Sequence, residues 1–197
     1  MAGSKQLFLL GFALMTLLGV QAQSKRFDTT MKVGKAGYRV TTRNNNPEKN
    51  MLTVEPLGFD ANMREFSFEV KGRVARAEVD DLNRDNFPDL VIYLVTNDSI
   101  PKGNVVGISS DANTSVKPIL FPDIIDDPKL RDGYKGYDQF MLMEGQLIRR
   151  FPLYTTDSTT QVITPTGKMR QVMYTIRPGE RGSLKFFVQR SYDYNKQ

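Results

Sequence analysis

Along most of the chain, apolar and polar residues alternate with a period of two. Tyr38, Val40 and Thr42 set the pattern, and Leu52 and Val54 continue it. Phe66, Phe68 and Val70 then lead through Lys71-Gly72 to Val74, Ala75, Ala77 and Val79. Successive side chains of a strand point to opposite faces, so this spacing predicts half-buried strands, with Lys71-Gly72 as a hairpin turn. Leu90 to Val95 (LVIYLV) departs from the alternation as an unbroken apolar run, which is how a strand buried on both faces reads. Further strands are expected at Val105 to Ile108, Gln139 to Met143, Leu147 to Tyr154, Gln171 to Ile176 and Leu184 to Val188. Tight turns at Glu144-Gly145 and at Pro178 to Gly182 separate some of them. No segment keeps a helical period. Many short strands joined by Gly, Pro, Asn and Asp predict one all-β domain, a sandwich or a barrel.

Two stretches break the pattern for longer. Thr96 to Asn104 (TNDSIPKGN) is one. Asp111 to Gly136 is the other, with Pro118, Pro122 and Pro128 and the acidic cluster Asp123, Asp126 and Asp127. Both are expected to be long loops, and on a small β domain loops longer than about 12 residues are often where function sits.

The ends change the picture. Lys5, the apolar run Leu7 to Val20 and the small residues up to Ala22 have the form of a cleavable export signal, residues 1–22. The run is shorter than the roughly 20 residues a membrane-spanning helix needs, so no membrane insertion is expected after cleavage. Residues 23–36 are polar and are expected to be a loose lead-in, leaving residues 37–197 as the folded domain. The expected location is the periplasm or beyond.

Composition then removes whole classes of chemistry. The chain contains no Cys and no His, so it has no disulfide framework, no thiol nucleophile, no Ser-His-Asp triad and no ordinary zinc ligands. The net charge of +5 comes from Lys and Arg scattered among Asp and Glu. Basic runs of the nucleic-acid-binding type are missing, and no nucleic-acid partner is expected. Clear acid and base candidates for a hydrolase are lacking, which argues for a non-enzymatic protein.

One motif points to a cation. Asp81, Asn83, Asp85 and Asp89 stand at positions one, three, five and nine of a short loop that runs into the apolar strand, the spacing with which oxygen ligands converge on calcium. The EF-hand is excluded, because Asn86 and Ile92 occupy the positions of its Gly and bidentate Glu. The competing reading, which the pattern favours, is a polar turn in which Asp81 and Asn83 bond to backbone while Pro88 fixes the start of the strand. Elsewhere, Arg149 and Arg150 are adjacent on a strand and must face opposite ways, so structural pairing is the favoured reading for both. Tyr134 and Tyr137 have the form either of loop anchors or of sugar-stacking rings.

Three segments taken together resemble a known family. They are GRVARAEVDDLNRDNFPDLVIYLV, GYKGYDQFMLMEGQLIRRFPLY and PTGKMRQVMYTIRPGE. In order and spacing they resemble the periplasmic inhibitors of invertebrate-type lysozyme, over roughly Gly37 to Val188. The resemblance implies an antiparallel β-sandwich that blocks a glycosidase and performs no catalysis. It also implies that the Asp-Leu-Asn turn belongs to the fold. The implied inhibitory loop follows the buried strand, here Ser99, Ile100, Pro101, Lys102 and Gly103. Ser99 stands for the family Ser and Gly103 for its later Gly, whereas Ile100 replaces a Gly and the loop has no Tyr. The implied partner is a lysozyme or related peptidoglycan hydrolase. A calcium- or carbohydrate-binding module of the envelope is the alternative, and exposed strand edges leave a homodimer open.

Overall fold

A strand that is apolar at every position needs a hydrophobic layer on each side, and the computed structural model, which describes residues 26–96 and 98–196, provides two. Phe27–Val33 (β1), Ala36–Thr42 (β2), Lys49–Leu57 (β3) and Phe66–Lys71 (β4) form a four-stranded antiparallel meander. The chain then passes into a second, eight-stranded sheet. Its strands are Arg73–Asp80 (β5), Asp89–Val95 (β6), Gly103–Asp111 (β7), Ser115–Leu120 (β8), Gln139–Met143 (β9), Gln146–Thr156 (β10), Ile163–Pro178 (β11) and Leu184–Asn195 (β12), in the order β5-β6-β7-β8-β12-β11-β10-β9. All its ladders are antiparallel except a short parallel contact of β8 with β12. The protein is therefore an all-β, sandwich-like single domain in which the second sheet curls until it is nearly closed.

Strand β6 belongs to both cores. Leu90, Ile92 and Leu94 point to the four-stranded sheet and pack with Tyr38, Val40, Leu52 and Val54. Val91 and Tyr93 point into the curled sheet, among Val105, Leu147, Phe151, Val172, Tyr174 and Phe186. The unbroken apolar run is thus explained by alternation between two cores rather than by a loss of alternation.

The two edges of the curled sheet, β5 and β9, meet through side chains. Arg76 Nη2 donates to the Phe140 carbonyl at 2.7 Å, the Leu142 N–H donates to Glu78 Oε2, and the Tyr93 hydroxyl donates to the same carboxylate. Arg76 also pairs with Glu78 and lies over the Tyr93 ring. A side-chain seam closes the sheet where no backbone ladder does, so both edges are occupied.

Three expectations are corrected. Residues 23–36 are not all loose: Phe27 to Val33 pairs with β2 along its whole length, with Phe27, Thr29 and Met31 half-buried against the sheet. Lys71-Gly72 is not a hairpin turn, because β4 and β5 lie in different sheets and the turn carries the chain between them. That crossing is held by the Gly72 N–H on the Glu48 carbonyl and by Asn50 Nδ2 on the Gly72 carbonyl. Within the expected loop Asp111 to Gly136, Ser115 to Leu120 forms β8 and pairs with β7, while Asp123 and Asp127 cap one-turn helical pieces. The export signal expected at residues 1–22 lies outside the described residues. No described helix is long and apolar enough to cross a membrane.

Candidate functional site

Both loops that flank β6 carry polar residues singled out by the sequence, and they are built in opposite ways. Before the strand, the side chains of Asp81, Asn83, Asp85 and Asp89 serve their own backbone. Asp81 accepts from the N–H groups of Asp85 and Asn86 at 3.0 and 2.9 Å, and Asp85 accepts from that of Phe87 at 2.9 Å. Asn83 accepts from the Asp85 N–H and donates to the Asp85 carboxylate. Arg84 and Asn86 adopt left-handed backbone, the conformation such a tight polar turn requires. Asp89 is fully buried and joins the loop to the fold, accepting from the N–H groups of Leu82 and Ser110 at 3.0 Å each. Burial pushes its carboxyl up to about 6, against the hydrogen bonds that favour the charged form. Among the described residues no three Asp or Glu side chains are grouped as metal ligands. The arrangement present is the polar turn.

After the strand, the loop is held at its base and leaves its tip free. The Thr96 N–H donates to the Lys102 carbonyl at 2.9 Å and the Lys102 N–H donates to Thr96 Oγ1 at 3.0 Å, which closes the loop on itself. Ser99, Ile100 and the Lys102 side chain are exposed, and Pro101 is half-buried. Two further contacts brace the loop from the segment before β9: the Tyr137 N–H donates to the Pro101 carbonyl at 2.8 Å, and the Gly103 N–H donates to Asp138 Oδ2 at 2.8 Å. Gly103 is needed for this approach, since a Cβ there would stand 2.6 Å from the Phe140 ring and 2.8 Å from Asp138 Cβ.

The anchor beneath the loop is a buried ion pair. Arg149 Nε donates to Asp138 Oδ1 at 2.7 Å, with side-chain exposures of 3% and 0%. The Tyr134 hydroxyl donates to Asp138 Oδ2 at 2.6 Å, and Arg149 Nη2 donates to that hydroxyl at 3.1 Å. The guanidinium is enclosed by the rings of Phe121, Tyr134, Phe140 and Phe151, with centroids 5.2 to 5.8 Å from its carbon. Burial works against the Arg149 charge, but the facing Asp138 carboxylate outweighs it and holds the guanidinium protonated more firmly than usual. Burial, followed by the hydrogen bond to Asp138, raises the Tyr134 phenol. Every buried side-chain polar atom among the described residues has a partner, so the network is complete.

The structure thus brings Ser99, Ile100, Pro101, Lys102 and Gly103 together with Tyr134, Tyr137 and Asp138, and keeps them apart from the carboxylate turn at the far end of β6. Arg149 and Arg150 are both structural; Arg150 Nε donates to Gln171 Oε1 at 2.6 Å. Sequence reasoning missed Asp138 and Phe140. A signal for their existence was present: Arg149 shares one strand face with Leu147, Phe151 and Leu153, so it had to be buried and had to find a carboxylate. No family model matches this chain, and no curated protein matches it significantly.

Proposed function

We propose that this protein is an exported, non-enzymatic binding protein of the lysozyme-inhibitor type, which blocks a glycosidase cleft with the loop of Ser99, Ile100, Pro101, Lys102 and Gly103. The observation that carries this reading is the contrast between a free tip and a fixed base: exposed Ser99 and Lys102 stand on a loop tied to the buried Arg149–Asp138–Tyr134 network. A glycosidase holds two carboxylates across its scissile bond. A hydroxyl and an ammonium on a projecting loop are suitable donors to such a pair, and charge-assisted bonds are the stronger kind. A loop whose base is already fixed loses less entropy on docking than one free along its whole length, which favours affinity. The N-terminal sequence supports export to the periplasm, and the order of the three resembling segments supports the choice of an invertebrate-type lysozyme as target.

The test is lysis by an invertebrate-type lysozyme, with chicken-type and goose-type enzymes alongside, during titration with the protein from Gln23 onward. Selective inhibition at stoichiometric protein is expected. The double substitution Ser99→Ala and Lys102→Ala should weaken it by more than about tenfold, the effect of losing roughly 1.4 kcal/mol of contact. Unchanged lysis by all three enzymes would sink the reading.

A further inference from the structure

Lined by Tyr137 but by none of the residues of the Ser99 to Gly103 loop, a cleft of about 540 Å³ opens on the surface. Three tyrosines, Tyr137, Tyr154 and Tyr194, line it together with Gln139, Lys168 and Lys196, and among the described residues no carboxylate does. Tyr137 and Tyr154 lie with centroids 6.5 Å apart and planes 30° from parallel.

Two irregularities of the backbone shape this place. Tyr137 has a left-handed φ of 62°, which few side chains other than Asn or Asp adopt, yet the residue is 43% exposed. The conformation is imposed by its N–H bond to the Pro101 carbonyl and by the close approach of Gly136 to that same carbonyl, where a Cβ would come to 2.8 Å. The ladder between β10 and β11 breaks between Pro152 and Tyr154: Pro152 pairs with Met169 and Tyr154 with Pro165, so Thr166, Gly167 and Lys168 bulge out opposite Leu153. Thr166 Oγ1 pins the bulge by donating to the Leu153 carbonyl, and the Lys196 N–H ties the end of β12 to the Gly167 carbonyl. Bulges re-aim side chains, and strain at an exposed ring is stored where surrounding structure enforces it, commonly at ligand sites.

We infer that this cleft is a binding site for an acidic oligosaccharide, with sugar faces on Tyr137 and Tyr154 and sugar carboxylates near Lys168 and Lys196. Tyrosine rings offer an apolar face to the C–H face of a pyranose and a hydroxyl to its polar edge. The Gln139 amide adds donors and acceptors for hydroxyl groups. Two lysines without a carboxylate among the described lining residues select an anionic ligand over a neutral one of the same shape.

The site does not depend on the lysozyme reading, because it is measured with no enzyme present. Calorimetric titration with an oligogalacturonate hexamer, and with a neutral cellulose hexamer of equal length, tests it. The acidic hexamer is expected to bind, the neutral one about tenfold or more weaker, and added salt should narrow the difference by screening the lysines. Tyr137→Gly is the decisive variant. It removes the ring while relieving the left-handed backbone, so it should abolish most binding and leave the urea midpoint equal or higher. Failure of both hexamers to bind, equal binding of the two, or acidic binding that survives Tyr137→Gly and Tyr154→Ala would each overturn the proposal.

Discussion

The two loops at the ends of β6 are both rich in polar residues, yet one consumes its polar groups and the other presents them. In the turn from Asp81 to Asp89 the carboxylates accept from backbone N–H groups of the turn and of Ser110. In the loop from Thr96 to Gly103 the anchoring carboxylate comes from elsewhere, Asp138, and acts only at the base. Density of Asp and Asn is therefore a poor guide to function. What matters is whether the local backbone offers donors, as in the first loop, or whether a distant buried group does the holding and frees the tip, as in the second.

The largest expected effect falls on the second loop. Asp138→Ala leaves the Arg149 guanidinium buried without its partner and should cost about 3–5 kcal/mol, read as a lowered urea midpoint. Asp138→Asn, which keeps an acceptor for the Gly103 N–H, should cost less. Equal losses would show that the acceptor for the Gly103 N–H plays no part in bracing the loop and that the charge pairing carries the whole effect. On the first loop, Asp89→Ala strips the Leu82 and Ser110 N–H groups of their acceptor and should cost about 1–3 kcal/mol. A change too small to measure would mean that water reaches this place.

Asp89 also makes stability depend on pH in an unusual direction. Its folded value of about 6 lies above the ordinary 3.8, so the folded state binds the proton first. The contribution is fully present below about pH 4 and is lost as pH rises through 6. Relative to Asp89→Asn, the natural protein should therefore gain stability as pH falls from 7, by about 1.3 kcal/mol at pH 5 and up to about 3 kcal/mol near pH 3, for a gap of about two pH units. A flat difference between the two proteins over that window would contradict the burial argument. The smallest effects sharpen the contrast. Ser99→Ala and Lys102→Ala should each change stability by less than about 0.5 kcal/mol, as exposed substitutions do. Millimolar calcium should leave the melting temperature unchanged, because the oxygens of Asp81 are already engaged. A rise would show that metal displaces those N–H donors through preferential binding to the folded state.

Much of this was legible in the sequence, and each failure has a physical cause. The period-two pattern located most strands, and the run Leu90 to Val95 announced a doubly buried strand. Strand β1 was hidden because an edge strand buries one face only, and Asp28, Thr30 and Lys32 made it read as polar. Strand β8 was hidden by Pro118, which demotes a run from strand to loop wherever the ladder partners are unknown. Lys71-Gly72 has the chemistry of a hairpin turn, and turn chemistry does not say which sheet the next strand joins. At the candidate site, the inward face of Arg149 could be read from its apolar neighbours at Leu147, Phe151 and Leu153, but not the identity of its partner.

The sequence by itself determined the all-β class, the location of most strands, the exclusion of His and Cys chemistry and the inward face of Arg149, because alternation and composition are local properties. Only the tertiary structure decided that β6 serves two cores, that Asp138 is the anchor of the loop after it, and that Tyr137, Tyr154 and Tyr194 share one cleft. Those facts depend on residues tens of positions apart in the chain being brought within a few ångströms, and no local pattern encodes that choice of partner.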